Sequence, residues 1–77
     1  MQTIGARLKF ARQRQALSQE DLATQSGVPV VTISRMENAP AERQPRPSTI
    51  RKLSAALGVE PGWMMFGDEG LEGKLAA

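Results

Sequence analysis

The sequence predicts an all-α domain built from five short helices, and three observations support this prediction. Apolar residues recur every three or four positions, the spacing that places them on one face of a helix. No segment alternates apolar and polar residues as a half-buried strand does. Glycine or proline marks most of the boundaries between the periodic segments. With 77 residues, the chain has room for one domain with one small core.

The first predicted helix runs from Thr3 to Ala16, a stretch without proline. Ile4, Leu8 and Ala11 follow helical spacing, and basic residues fill much of the remaining surface. These basic residues are Arg7, Lys9, Arg12 and Arg14. The pattern is that of an amphipathic helix.

A second helix is predicted from Gln19 to about Ser26. Ser18 can cap its first turn, and Asp21 stands three residues later, where the acidic partner of a capping box belongs. Gly27 follows the helix and can adopt the left-handed conformation that ends a helix and turns the chain. The connection to the next helix is therefore very short.

A third helix is predicted from Pro29 to about Asn38, with Ile33 and Met36 facing inward. Proline is tolerated at or just before the first helical position, because its missing N–H would have no partner there. Four residues are spaced to pack the second and third helices together: Leu22, Ala23, Val28 and Ile33. Two short helices joined by so tight a turn have helix-turn-helix geometry.

The segment from Ala39 to Pro47 holds three prolines and is predicted to be an extended loop. Two further helices are predicted after it: one from Pro47 or Ser48 to Gly58, and one from Pro61 to Gly67. We therefore expect the folded domain to span residues 1–67. Residues 68–77 are expected to form a flexible acidic tail or the start of a linker.

The composition excludes several kinds of chemistry, because the chain contains neither cysteine nor histidine. Disulfides, thiolate or imidazole metal sites and a Cys/His catalytic pair are ruled out, and we expect no metal and no cofactor. The chain also lacks a phosphate-binding glycine loop and is too small for a deep pocket, so an enzyme is not expected. No apolar run approaches the roughly 20 residues of a membrane span, and the expected location is the cytoplasm, without membrane contact.

The formal net charge is +2, but the charges are unevenly distributed. Residues 1–67 contain nine basic and five acidic residues, whereas residues 68–77 contain one basic and three acidic residues. A basic folded part suits a polyanionic partner such as a nucleic acid, although many domains that bind no nucleic acid are equally basic.

Three segments fall in register with a known family: LSQEDLATQSGV, TISRMEN and LSAALGVEPGW. Through them the chain resembles the Cro/CI-like family of phage repressors and related bacterial regulators over about residues 3–67. The resemblance implies a five-helix, lambda-repressor-like DNA-binding domain. It also implies that the third helix enters the major groove of double-stranded DNA while the start of the second helix meets the phosphate backbone.

The resemblance assigns base contacts to five residues: Gln19, Val30, Val31, Thr32 and Arg35. Arg35 can bind a guanine through O6 and N7, and the family glutamine at position 19 meets a phosphate and sometimes a base. The family residues at positions 30 and 31 are often polar, so the two valines here are expected to pack on thymine methyl groups instead. The alternative is that these valines serve the core or a protein contact.

Four residues match backbone-contacting positions of the family or flank its reading positions: Ser34, Asn38, Arg43 and Arg46. We predict phosphate contacts for them, and ordinary solvated charge is the alternative for the two loop arginines. Arg12 and Glu37 match positions that form an ion pair between the first and third helices in some members. We interpret this pair as mainly structural.

The last helix resembles the family helix that closes the core and often contributes to a two-fold dimer contact. Trp63 is expected in the core. Met64, Met65 and Phe66 are predicted to form the dimer contact, since an apolar cluster on so small a domain favours self-association. The expected assembly is a homodimer on DNA.

These observations predict a sequence-specific, double-stranded DNA-binding transcriptional regulator. We expect a repressor that places the third helix of each subunit in successive major grooves of a near-palindromic operator. Activation through contact with polymerase stays open. The alternative function is that of an antitoxin, which neutralises a toxin and also regulates its own promoter; residues 64–66 or the acidic tail would then contact the toxin.

Overall fold

The computed structural model describes residues 3–39 and 44–68. Five α-helices lie within these ranges: α1 (Ile4–Arg14), α2 (Gln19–Ser26), α3 (Val30–Glu37), α4 (Pro47–Leu57) and α5 (Pro61–Phe66). No strand occurs in the same ranges, so the prediction of an all-α, five-helix fold is confirmed. None of these helices is long and apolar enough to cross a membrane. Of the predicted tail, only Asp68 lies within the described residues.

The boundaries of α2 follow from its capping residues. The Ser18 hydroxyl accepts a hydrogen bond from the Asp21 N–H, and the Asp21 carboxylate accepts one from the Ser18 N–H, each at 2.9 Å. These two bonds form the predicted capping box, and they lower the pKa of the Asp21 carboxyl. At the other end, Gly27 is left-handed with φ +76° and its N–H donates to the Ala23 carbonyl. The sequence prediction for both ends is confirmed.

The first helix ends at Arg14, two residues earlier than predicted. Ala16 has a positive φ of 57°, a conformation that cannot continue a right-handed helix. The Leu17 N–H then donates to the Arg12 carbonyl, and the Arg12 guanidinium donates back to the Leu17 carbonyl at 2.8 Å. This pair of bonds fixes the direction in which the chain enters α2.

The core is aliphatic and draws on all five helices. Its buried members are Leu8, Ala11, Leu22, Val28, Ile33, Met36, Ile50, Leu53, Leu57 and Met64. Met64 is fully buried, so its assignment to a dimer contact was wrong, because a side chain enclosed by its own domain cannot touch a partner. Trp63 is half-buried and packs against this core.

Arg7 was predicted to lie on the polar face of the first helix, but its side chain is buried. Its Nε donates to the Met64 carbonyl at 2.9 Å and its Nη2 to the Met65 carbonyl at 2.8 Å. Burial lowers the pKa of Arg7 from its ordinary value, yet a guanidinium stays protonated in proteins. The charge therefore satisfies carbonyls near the negative end of α5 and ties that helix to α1.

Gly5 lies where α1 meets the end of α3. A Cβ atom at this position would stand 2.3 Å from the Met36 carbonyl oxygen and 2.9 Å from that of Glu37. The two helix backbones can approach this closely only because residue 5 has no side chain. The position of α3 relative to α1 therefore depends on this glycine.

Ser54 is the one buried side-chain hydroxyl in the described residues without a hydrogen-bond partner. An unpaired buried hydroxyl costs about 1–3 kcal/mol of desolvation. We therefore expect Ser54→Ala to raise the free energy of unfolding, measured by urea denaturation, by about 1 kcal/mol. Ser48→Ala is the control, because Ser48 is exposed on the same helix and its replacement is expected to change stability by less than about 0.5 kcal/mol. A loss of stability in Ser54→Ala would contradict the assignment.

Candidate nucleic-acid interface

Helices α2 and α3 are joined by three residues, Gly27, Val28 and Pro29. The buried Val28 side chain anchors the turn in the core, and its N–H donates to the Ser26 hydroxyl at 3.1 Å. Pro29 stands just before α3, and its carbonyl accepts from the N–H groups of Thr32 and Ile33. No side chain caps α3. The pair is therefore a helix-turn-helix whose second helix starts at an uncapped, accessible end.

The outer face of α3 carries Val30 and Val31, which are 41% and 52% exposed. Ile33 and Met36 occupy the inner face and are buried. Neither valine belongs to the core, so the core part of the alternative is wrong, and a protein contact stays open. An isolated pair of exposed valines at a helix start is available for contact with another molecule.

A single cleft brings together four of the predicted contact residues: Thr32, Arg35, Asn38 and Arg46. It lies between the start of α1, the second half of α3 and the segment that leads into α4. Arg35 and Arg46 are exposed, and neither forms an ion pair within residues 3–39 and 44–68. Two cations at one cleft, neither of them ion-paired within the described part of the chain, suit a polyanion.

The residues predicted to contact phosphates differ in exposure and in hydrogen bonding. Ser34 is half-buried on α3, and its carbonyl accepts a hydrogen bond from the Asn38 carboxamide at 2.8 Å. Asn38 therefore uses one amide hydrogen at the end of α3 and retains another. Arg43 lies outside the described residues.

Arg12, Glu37 and Gln19 form one hydrogen-bonded group beneath the start of α2. Arg12 donates from Nε to Glu37 Oε2 at 2.7 Å and from Nη2 to Glu37 Oε1 at 2.9 Å, so α1 and α3 are joined by a bidentate ion pair. The side chains are 11% and 3% exposed. Gln19 Nε2 donates to Glu37 Oε1 at 3.1 Å. The sequence did not predict this last bond.

These hydrogen bonds shift the pKa values of Glu37 and Arg12. Burial alone would raise the pKa of the Glu37 carboxyl, but the hydrogen bonds from Arg12 and Gln19 and the nearby positive charges outweigh it, and the pKa is lowered. The hydrogen bond to Glu37 raises the pKa of Arg12 despite its burial. Both groups are therefore fully charged at neutral pH.

The three aromatic residues lie on α1 and α5. Phe66, at the end of α5, is 60% exposed, and Met65 is half-buried. Phe10 of α1 is also exposed and lines one cleft with Trp63. The Arg14 guanidinium stands 5.6 Å from the Phe10 ring centroid. Helical spacing did not predict the exposure of Phe10.

A family model described as helix-turn-helix matches residues 8–64 of the chain. The chain belongs to the Cro/CI-like helix-turn-helix family. The match covers α2, α3 and α4 completely and most of α1 and α5. Membership confirms the resemblance on which the residue assignments of this Cro/CI-like protein rest.

Two regulators from Bacillus subtilis (strain 168) are similar to this Cro/CI-like protein. The HTH-type transcriptional repressor RghR is 38% identical over 66 residues, which are 86% of this chain and 48% of RghR. The uncharacterized HTH-type transcriptional regulator RghRB is 39% identical over 59 residues, 77% of this chain and 42% of RghRB. The chain spans about half the length of the curated relatives it matches.

Two further proteins extend the comparison of this Cro/CI-like chain. The HTH-type transcriptional regulator DicA of Escherichia coli (strain K12) is 33% identical over 67 residues, 87% of this chain and 48% of DicA. The crystal structure of the P22 c2 repressor protein in complex with synthetic operator 9T in the presence of Tl+ matches with a TM-score of 0.77 and 31% identity. That match covers 88% of this chain and 100% of the P22 chain.

Proposed function

We propose that this protein is a sequence-specific transcriptional regulator that binds double-stranded DNA through α3, and that it acts as a repressor. The observation that carries the proposal is the outer face of α3. Val30, Val31 and Arg35 are all exposed on the second helix of a helix-turn-helix, at the positions where the family reads base edges. Repression then follows from steric competition with polymerase for the same DNA.

Each residue on this face has a chemical role in the proposal. The valines pack on thymine methyl groups, and Arg35 binds guanine through O6 and N7. Thr32 supports the reading positions from the side of the cleft. The proposed site therefore combines apolar and guanidinium contacts to bases, with Gln19 at its edge.

Phosphate contacts hold the helix in the groove. Arg46 and Asn38 line the cleft beside Arg35, and Ser34 lies next to Arg35 in the chain. We include Arg43 among the phosphate contacts on the resemblance alone. Such contacts fix the orientation of the protein on DNA but do not select a sequence.

Two copies are proposed to bind one near-palindromic operator, with their α3 helices about 34 Å apart. The proposed dimer contact is the accessible apolar part of α5, which consists of the half-buried Met65 and the exposed Phe66. Met64 is excluded because it is buried. The names of RghR, RghRB and DicA support transcriptional regulation and do not favour the antitoxin alternative.

Selection of bound duplexes from a random DNA pool at about 150 mM salt tests the proposal. We expect a two-fold symmetric sequence whose half-sites lie one helical turn apart, with thymine under the valines and guanine under Arg35. If no sequence is enriched, base-specific recognition by this domain is wrong. If a single asymmetric half-site is enriched, the dimer is wrong and the reading helix stands.

Arg35→Ala is expected to weaken binding to the selected sequence by about 1–3 kcal/mol and to abolish the preference for guanine at one position, because the bidentate contact is lost. Fluorescence anisotropy with the selected and the guanine-substituted duplexes measures both effects. Arg14→Ala is the matched control, since it removes the same charge from α1 near Phe10. Equal losses in the two variants, without a change in base preference, would show that Arg35 contributes charge alone.

A further inference from the structure

We infer that Glu37 is a positioning residue for DNA recognition, because it fixes the orientation of the Gln19 carboxamide at the start of α2. The inference rests on the proposed function and assigns to the Arg12–Glu37 pair a role beyond stability. It concerns the contact that Gln19 makes with DNA, not the residues of α3 that read the bases directly.

The hydrogen bond between Gln19 and Glu37 has only one possible direction. An ionised carboxylate only accepts hydrogen bonds, so a glutamine beside it must present its amide nitrogen and not its oxygen. Gln19 does this, with 3.1 Å between Nε2 and Glu37 Oε1. A carboxamide without such a neighbour can rotate by half a turn and exchange its donor and acceptor. Glu37 therefore selects one of the two orientations.

This orientation leaves part of the Gln19 carboxamide free to bind DNA. The amide nitrogen carries two hydrogens, and the bond to Glu37 uses one of them. One N–H and the Oε1 atom remain on the partly exposed side chain. An adjacent donor and acceptor match the N7 and N6 atoms of adenine, and the donor alone serves a phosphate oxygen. A rotated amide would place the oxygen against Glu37 and lose this pattern.

The Glu37 side chain is itself held in one position by Arg12. Both of its oxygens are held by Arg12, and the third Arg12 nitrogen, Nη1, donates to the Leu17 carbonyl just before α2. The side chain that orients Gln19 is thus anchored to α1 and to the turn that leads into α2. A side chain locked in this way orients its neighbour without losing further conformational freedom on binding.

A double-mutant cycle with Glu37→Gln and Gln19→Ala tests the inference, with affinity for the selected duplex measured at a temperature where circular dichroism shows every variant folded. We expect Glu37→Gln to weaken binding about tenfold in the wild-type background and less than about twofold in the Gln19→Ala background. An equal loss in both backgrounds would overturn the inference, since Glu37 would then act through the fold. If the wild-type protein selects no DNA sequence, the proposed function fails first and the inference falls with it.

Gln15→Ala provides a matched control for the loss of one side-chain hydrogen bond. Gln15 Nε2 donates to the Leu57 carbonyl at 2.7 Å, and Gln15 is not among the predicted DNA contacts. We expect this variant to lose stability and keep its affinity for DNA. A comparable loss of affinity in Gln15→Ala would show that binding responds to stability in general and would overturn the inference.

A measurement on the unmodified protein covers the case in which Glu37→Gln does not fold. Nuclear magnetic resonance can compare the side-chain amide protons of Gln19 with those of Gln25, an exposed glutamine of the same helix. We expect one Gln19 proton to exchange with water several-fold more slowly than either Gln25 proton, and to stay protected when DNA is bound. If the two glutamines exchange alike, Glu37 does not hold the Gln19 amide.

Discussion

Replacing Arg12 with alanine is expected to lower the free energy of unfolding by about 3–5 kcal/mol. The variant leaves Glu37, whose side chain is 3% exposed, without the cation that compensates its charge. It also removes the hydrogen bond to the Leu17 carbonyl in the turn between α1 and α2. A domain of this size has little stability in reserve, so a loss of this magnitude unfolds much of the population.

Urea denaturation and thermal melting measure this effect, with Arg14→Ala as the control. Arg14 lies two residues further along α1, is exposed, and stands over the Phe10 ring. Its replacement is expected to cost less than about 1 kcal/mol. An unchanged melting temperature in Arg12→Ala would contradict the structural role of the pair.

The same pair makes stability depend on acidity. Because the pKa of Glu37 is lowered in the folded protein, its contribution is complete above the unfolded value of about 4.3 and is lost as the pH falls through the lower folded value. The free energy of unfolding of the wild-type protein, measured from urea denaturation curves, should therefore decrease progressively below about pH 4.3. In Arg12→Ala this decline should be smaller, since the main cause of the lowered pKa is gone.

Gly5→Ala is expected to destabilise the fold by at least about 2 kcal/mol, although alanine is intrinsically the better helix former. The new methyl group would stand 2.3 Å from the Met36 carbonyl oxygen, and a backbone atom cannot move aside as a flexible side chain can. Helix α1 must then shift away from α3. Any contact that requires the two helices in register, including Arg12 with Glu37, is disturbed as well.

Glycine is needed at position 5 for the close approach of two helices and at position 27 for a left-handed conformation. Gly27→Ala tests the second reason alone. Gly27 has φ +76° but nothing within 4 Å of a Cβ atom, so its replacement costs only the strain of a left-handed alanine, about 1–2 kcal/mol. Urea denaturation of both variants tests the distinction. If Gly5→Ala proved as stable as the wild type, the close approach of α1 to α3 would be wrong.

The helices could be predicted from the sequence because their signals are local. Ser18 and Asp21 satisfy the first turn of α2 by themselves, and Gly27 and Gly58 adopt the left-handed conformation at the ends where they were expected. The end of α1 was less predictable. Ala16 carries no sequence signal for a positive φ, and the turn that imposes it depends on Arg12.

Burial was harder to predict where distant parts of the chain meet. Arg7 reads as a surface residue because its partners, the carbonyls of Met64 and Met65, are 57 and 58 positions away. Gly5 gives no local indication that another helix will approach it. Among the three apolar residues at the end of α5, spacing alone could not separate the buried Met64 from the exposed Phe66.

In the candidate interface, too, some residues could be predicted and contacts between distant residues could not. The resemblance supplied the positions of Val30, Val31 and Arg35, and the structure exposes all three. The bond from Gln19 to Glu37 joins side chains 18 positions apart on different helices. No periodicity or capping rule predicts such a bond, because it depends on how α2 crosses α3.

The hydrogen bonds of Arg7 also bear on the order in which the domain assembles. They close a loop that contains almost the entire domain, and the entropy of loop closure increases with length. A six-residue helix such as α5 has no stability of its own before it docks. We therefore expect α1 to α4 to form the early folding unit and α5 to dock last. In the native protein α5 would then be the first element to open, and its backbone amides would exchange with solvent before those of the rest of the core.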